Sequence, residues 1–212
     1  KKDGKPDKGK PVPKPKPDPK PDPKPDPKPA EEPAELRKVK PAPLPSDPSW
    51  KEDALTRTYL SDMPEEGVIT AWGKFGKNGG LGYPAWAPVP EGNDPISVGG
   101  KRAAKGISFV PRDRSFGRVL YRLGGKEKLF TGAAALADVP EGAGVSRAES
   151  ALWFTVWGDG RLLWKSRPMQ KLGESEPFRL AVPGVDVLEL RVFLPEGGKH
   201  ARSVWVDPAV YR

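Results

Sequence analysis

Cysteine is absent from the 212 residues. That excludes a disulfide framework, a thiol nucleophile and thiolate metal ligands. It does not fix the compartment. Histidine occurs once, as His200. A multi-histidine zinc centre is therefore excluded by count, and a Ser-His-Asp triad would have to use that residue. His200 follows Gly197-Gly198-Lys199, and no Gly-x-Ser-x-Gly elbow occurs in the chain, so it reads as an exposed loop residue. No apolar run approaches the ~20 residues that a membrane-spanning helix needs. A long apolar pattern of helical period is also missing. The net charge is +8 and the pI about 9.6, but both signs are mixed along the chain. There is no basic helix, zinc-finger spacing or aromatic RNA-binding motif, so nucleic acid is not the expected partner.

Aromatic residues are missing from residues 1–48, which hold 16 of the 28 prolines and almost no large aliphatic side chains. Such a segment buries too little apolar surface to offset its conformational entropy. From residue 11 to residue 29 every second residue is proline, and the unit Pro-Asp-Pro-Lys occurs three times. Proline fixes its own φ and extends the residue before it. The expected form is a polyproline II rod, on the order of 60 Å long at about 3.1 Å per residue. Residues 1–48 are thus expected to be a disordered stalk or linker that holds residues 49–212 away from a surface or another domain. A short helix fits residues 31–40. The alternative, a ligand for a proline-recognition domain, uses the same geometry. The chain opens on Lys1, which fits either a removed signal peptide or an arbitrary boundary.

Residues 49–212 carry all seven tryptophans, enough length and apolar material for one domain. Their most telling stretch is residues 150–166, SALWFTVWGDGRLLWKS. Asp-Gly between two apolar runs is a strong hairpin signal, because both turn residues tolerate φ > 0. Leu152, Phe154 and Val156 fall on one face; Ala151, Trp153, Thr155 and Trp157 fall on the other. After the turn, Leu162 and Trp164 alternate with Leu163 and Lys165. A hairpin apolar on both faces belongs inside a layered β structure, with Trp153, Trp157 and Trp164 as packing residues. Further strand-like runs fall at 95–98, 103–110, 117–123, 129–137, 177–182, 187–194 and 203–211. In the run 187–194, Leu188, Leu190, Val192 and Leu194 are expected inward, with Glu189 and Arg191 in water. Many short strands separated by Gly/Pro turns predict an all-β sandwich of the jelly-roll kind.

Candidate ligand groups come from the loops. Phe75, Tyr83 and Trp86 lie in a Gly/Pro-rich stretch with few strand neighbours. Aromatic faces stack on the apolar faces of sugar rings, and Arg, Asn or Asp hold the hydroxyls. Arg112-Asp113-Arg114 reads as a polar cluster on a loop rim, or as a solvated turn. No carboxylate pair stands out as a glycosidase pair. No EF-hand pattern occurs, yet a structural Ca²⁺ held by backbone carbonyls and one or two Asp would leave little trace in sequence.

Seven elements in order over residues 57–212 carry a family resemblance. They are Tyr59-Leu60-Ser61-Asp62; Trp72-Gly73 with Lys77-Asn78-Gly79-Gly80; Ile96-Ser97-Val98-Gly99-Gly100 followed by Ala104-Lys105-Gly106-Ile107; and Tyr121-Arg122-Leu123-Gly124-Gly125. The hairpin around Gly158-Asp159-Gly160, Val182-Pro183-Gly184-Val185 and Trp205-Val206-Asp207-Pro208 complete the set. Together they resemble the NPCBM domain, a carbohydrate-binding module first noted beside family 98 glycoside hydrolases and grouped with carbohydrate-binding module family 51. The resemblance implies a galactose-binding-like jelly roll that binds a glycan, with galactose-type sugars as the candidates, without catalysis. It also implies a secreted, periplasmic or cell-surface setting. Trp72, Lys105, Trp205 and Asp207 are the positions it carries over. Two departures stand out. The family's His after its Lys-Gly segment falls at Phe109 or Val110 here, and its Asp before the closing Trp is Val204. Arg202 or His200 would have to compensate. The expected carbohydrate-binding set is therefore Trp72, Tyr83, Trp86, Lys105, Arg114, His200, Arg202 and Asp207. The rival expectation is a structural or protein-interaction sandwich that has lost its sugar site.

Overall fold

The computed structural model describes residues 31–41, 50–71, 75–78, 96–112, 114–139, 146–195 and 202–212. The proline rod of residues 11–29 lies outside them. A short helix, α1 (Ala34–Arg37), is followed by fourteen strands among the described residues. The front sheet contains β1 (Arg57–Tyr59), β3 (Phe75–Lys77), β6 (Gly106–Phe109), β8 (Leu129–Leu136), β12 (Ser175–Ala181) and β14 (Ser203–Tyr211). Its order is β12-β8-β14-β6-β3, with β1 beside the second half of β14. The back sheet contains β2 (Gly67–Ile69), β7 (Ser115–Arg122), β9 (Arg147–Gly158), β10 (Arg161–Lys165), β11 (Met169–Lys171) and β13 (Val187–Leu194). Its order is β10-β9-β13-β7-β2, with β11 also on β9. A separate pair, β4 (Ser97–Val98) and β5 (Lys101–Arg102), completes the set. All pairings are antiparallel. From β6 to β9, and again from β12 to β14, the chain changes sheet at each connection, as in a jelly roll. The all-β sandwich expected from the turn spacing is the observed fold.

The core fills the space between the sheets with the inward-facing residues of each strand. Leu152, Phe154 and Val156 meet Leu188, Leu190, Val192 and Leu194 there. Trp205, fully buried, stands edge-on to Phe154 (5.3 Å) and Phe178 (5.8 Å), and Phe178 packs against Phe130 and Trp164. These rings bridge the two layers at favourable tilted geometries. The Asp-Gly turn is realised with φ of 49° at Asp159 and 75° at Gly160, the left-handed pair that a two-residue hairpin needs. The Asp159 carboxylate accepts the N–H groups of Asp186 and Val187, locking this hairpin to the next turn.

Two details depart from simple alternation. A bulge between Leu162 and Trp164 sends these residues to different faces. Leu162 joins the outer cluster, while Leu163 and Trp164 pack on the core. Glu189 is not in water: it is 7% exposed and paired with Arg118 and Arg191. Arg191 lies over the Trp157 ring at 4.2 Å. The guanidinium thus covers an outward aromatic, and Glu189 neutralises it.

Both outer faces are covered by other parts of the chain. On the front sheet, Ile96 and Ala103 pack on Ala135, Ala137 and Val204, while Trp50, Leu55 and Tyr59 pack on Leu129, Ala209 and Tyr211. On the back sheet, Leu36 and Val39 pack with Ala151, Trp153, Trp157, Leu162 and Phe193. Composition marks this last contact only faintly, since Leu36 and Val39 are two large aliphatic residues among charges.

Candidate functional site

Four of the motif residues, Asp62, Asn78, Lys105 and Asp207, gather at one edge of the front sheet. The Tyr-Leu-Ser-Asp run forms a 3₁₀ turn, Leu60–Asp62, that buries Leu60 and turns Asp62 outward. The Asp62 carboxylate accepts Lys105 Nζ (2.7 Å) and Asn78 Nδ2 (2.8 Å). Asn78 sits at φ 50°, a region Asn tolerates, and its N–H donates to the Gly106 carbonyl. The Lys105 ammonium beside Asp62, followed by Asn78, holds that carboxyl below its usual range against the opposing effect of burial. Lys77 donates to Glu65 and to the Met63 carbonyl, and lowers the Glu65 carboxyl in the same way.

Asp207 joins this edge because β14 bulges between Val206 and Ala209. Pro208 has no N–H to give a ladder, and Asp207 takes φ 46° to make the bend. Gly132 on β8 permits it: a Cβ there would lie 2.9 Å from Phe178 and 3.2 Å from the Val206 carbonyl. The Lys105 N–H donates to Asp207 Oδ1 (3.3 Å), and the Asp207 N–H returns to the Lys105 carbonyl (3.0 Å). Lys105 and Asp207 are therefore brought together, as one site requires. Both are tied into the protein, Lys105 through Asp62 as well. Tyr59 is flanked by Arg57 (4.9 Å) and Lys105 (5.8 Å), which leaves little ring face for a sugar. A shallow groove of about 370 Å³ runs beside it, lined by Arg57, Tyr59, Thr131, Arg179, Val206 and Asp207 among others. Arg179 there donates to the Trp50 carbonyl and pairs with Glu52, which also accepts the Tyr211 hydroxyl.

Arg114 and Arg202 lie elsewhere, at one end of the sandwich. The connections β2–β3, β6–β7, β8–β9 and β13–β14 all emerge at this end, as the registers of Phe75 with Phe109, Ser115 with Leu194 and Ser203 with Leu136 show. Arg114 is exposed in a turn closed by the Ser115 N–H on the Arg112 carbonyl, at φ 55°. Arg202 is half-buried; its carbonyl accepts the Ala137 N–H, and Ser203 beside it donates to the Phe109 carbonyl. Near it, Asp138 accepts the Ser97 hydroxyl (2.8 Å) and the N–H groups of Gly99 and Gly100. Burial alone would raise the Asp138 carboxyl; the Gly100, Ser97 and Gly99 hydrogen bonds and the Arg202 charge outweigh it and hold it low. Gly173 makes room for this carboxylate, since a Cβ there would sit 2.7 Å from Asp138 Oδ1.

Trp72, Tyr83, Trp86 and His200 fall outside the described residues. Ala71 and Phe75, on either side of residues 72–74, both bond to the Phe109–Val110 end of β6. Phe75 itself is no display ring: it is a β3 residue packed on the core. Where the family resemblance expects His and Asp, Phe109, Val110 and Val204 are buried. Asp62, Asn78 and Asp138 were not singled out from sequence. The first two stand inside matched motifs, and Asp138 has only the distant Gly99-Gly100 pair as its signal. Among the described residues no three His, Asp or Glu side chains converge as a metal site.

The fold is shared with solved carbohydrate-binding modules. A Clostridium perfringens ZmpB structure containing its second family 51 module, solved with GlcNAc, is 17% identical with a TM-score of 0.58, covering 74% of this chain and 32% of that one. The family 51 module of a C. perfringens family 95 glycoside hydrolase, solved with methyl-galactose, is 18% identical with a TM-score of 0.55, covering 73% and 99%. The tandem family 51 modules of a Streptococcus pneumoniae family 98 glycoside hydrolase give 18% and 0.55, covering 73% and 46%. The chain thus spans about a third of the ZmpB structure and nearly all of the single module. No curated protein matches the sequence. The model of the NPCBM/NEW2 domain matches residues 56–211, and the chain belongs to that family of carbohydrate-binding modules.

Proposed function

We propose that this chain is a non-catalytic glycan-binding module of a secreted or surface protein, with its sugar site at the loop end of the sandwich rather than at the Lys105 edge. The observation that carries this reading is the convergence of four connections at one end, bearing Arg112, Arg114 and Arg202. Guanidinium groups donate to several hydroxyls at once from a rigid fork. Trp72, Tyr83, Trp86 and His200 are the proposed stacking and polar partners. GlcNAc and methyl-galactose in the similar modules point to a terminal hexopyranose as the ligand class. A small, shallow contact leaves little free energy after the costs of association, so single-site affinity is weak. Copies displayed together on a surface, each on its stalk, recover avidity.

The buried Phe109, Val110 and Val204 favour a second reading, a sandwich that has exchanged sugar for a protein partner. A glycan array separates the two, run on the full chain with calcium and with chelator. The first reading expects binding to galactose- or GlcNAc-terminated glycans that is lost in Arg202→Ala and in Trp86→Ala. A blank array from protein that unfolds cooperatively supports the second.

A further inference from the structure

The family match begins at residue 56, yet the chain makes a well-packed contact twenty residues earlier. Leu36 is 1% exposed and sits with Ala151, Trp153, Trp157, Leu162 and Phe193 on the outer face of the back sheet, with Val39 beside it. The fit is specific in shape and charge. Leu36 lies in α1, and Val39, just past the helix C-cap at Lys38, donates its N–H to the Leu36 carbonyl, so both side chains turn to this face. Lys165, at the end of β10, pairs with Glu32. Arg37 turns back to the Glu32 carbonyl and to Glu31, which keeps the segment folded on itself. The receiving face is unusually aromatic for the outside of a sheet: Phe116 and Phe193 pack at 5.3 Å, and Arg191 lies over both Phe116 and Trp157. Left bare, it would be a contiguous apolar patch of the kind that recruits a partner.

We infer that this face is an intramolecular docking surface and that residues 31–40 are its occupant. The segment clamps the proline-rich stalk to the back sheet, beside Lys165. From there the chain passes to the opposite side of the sandwich, where Trp50 and Leu55 cover the front sheet. Residues 31–40 are therefore a seated anchor on the module instead of a free hinge. This does not depend on what the loop end binds.

Tryptic cleavage of the full chain tests the clamp, because the Arg37–Lys38 and Lys38–Val39 bonds lie inside it. Seated, these bonds cleave only as fast as the segment opens; Leu36→Asp releases it, and cleavage accelerates about tenfold or more. Acrylamide quenching of Trp153 and Trp157 rises in parallel, while cooperative unfolding of the sandwich persists. The charge pair gives a second route. Glu32→Lys places two ammonium groups together and speeds cleavage, and combining it with Lys165→Glu restores protection. Equal cleavage in all four proteins overturns the clamp. So does protection that rises with protein concentration alongside a dimeric mass, which transfers the docking to a second copy.

Discussion

The Lys105 edge and the loop end both gather polar residues that bond within the protein, but the loop end adds an exposed arginine, Arg114. At the edge, Asp62, Asn78, Lys105 and Asp207 answer one another through hydrogen bonds. At the loop end, Arg114 is exposed, and Asp138 draws the β4–β5 hairpin over the sheet through Ser97, Gly99 and Gly100. Residues that satisfy each other hold a fold together; residues displayed on converging loops are available to a ligand. The motif residues at that edge therefore read as architecture, and the loops are where we propose recognition.

The largest effect that sharpens this contrast is Trp205→Ala. It belongs to a matched motif, but its side chain is fully buried against Phe154 and Phe178. It should cost about 3–5 kcal/mol of stability, read by urea unfolding. A loss of sugar binding without loss of stability would move this residue to the ligand. Next comes Arg202→Ala, which should weaken glycan binding about tenfold, or ~1.4 kcal/mol, and cost some stability through the lost charge beside Asp138; calorimetric titration reads the first and urea unfolding the second. Lys105→Ala should act on stability alone. With side chains 33% and 41% exposed, the Lys105–Asp62 pair contributes only about 0.5–1 kcal/mol, and its loss should leave affinity within about twofold.

The smallest effect is in pH. Asp62 and Glu65 have folded pKa values below their ordinary 3.8 and 4.5. A depressed carboxyl stabilises the fold fully above its unfolded pKa, and that stability is lost as pH falls through the folded value. The gap in thermal midpoint between the parent chain and Lys105→Ala should thus be constant at neutral pH and close as the pH drops below about 4. A gap that persists at pH 2 would mean that Lys105 acts through packing and not through charge.

Much of the fold was legible because its determinants are local. The Asp159-Gly160 turn, the alternation of Leu188 to Leu194 and the Gly/Pro breaks between strands each act within a few residues. What escaped depends on contacts distant in sequence. Glu189 looks like a water-facing residue until Arg118 and Arg191 close on it. The register after the hairpin changes at a bulge that no residue between Leu162 and Trp164 announces. Leu36 looks like linker because the face that receives it lies more than a hundred residues away. For the site, the family motifs pointed to Lys105 and Asp207, and the fold sets the two side by side. The motifs gave no way to see that they are each other's partners, while Arg114 and Arg202 stand at a different place.

The most direct measurement is a titration of the isotopically labelled chain with galactose and with GlcNAc, followed by amide chemical shifts. Changes at Arg114, Ser115, Asp138 and Arg202, with Asn78, Lys105 and Asp207 still, are the expected result. Changes centred on Asn78, Lys105 and Asp207, with the loop end silent, would contradict the assignment.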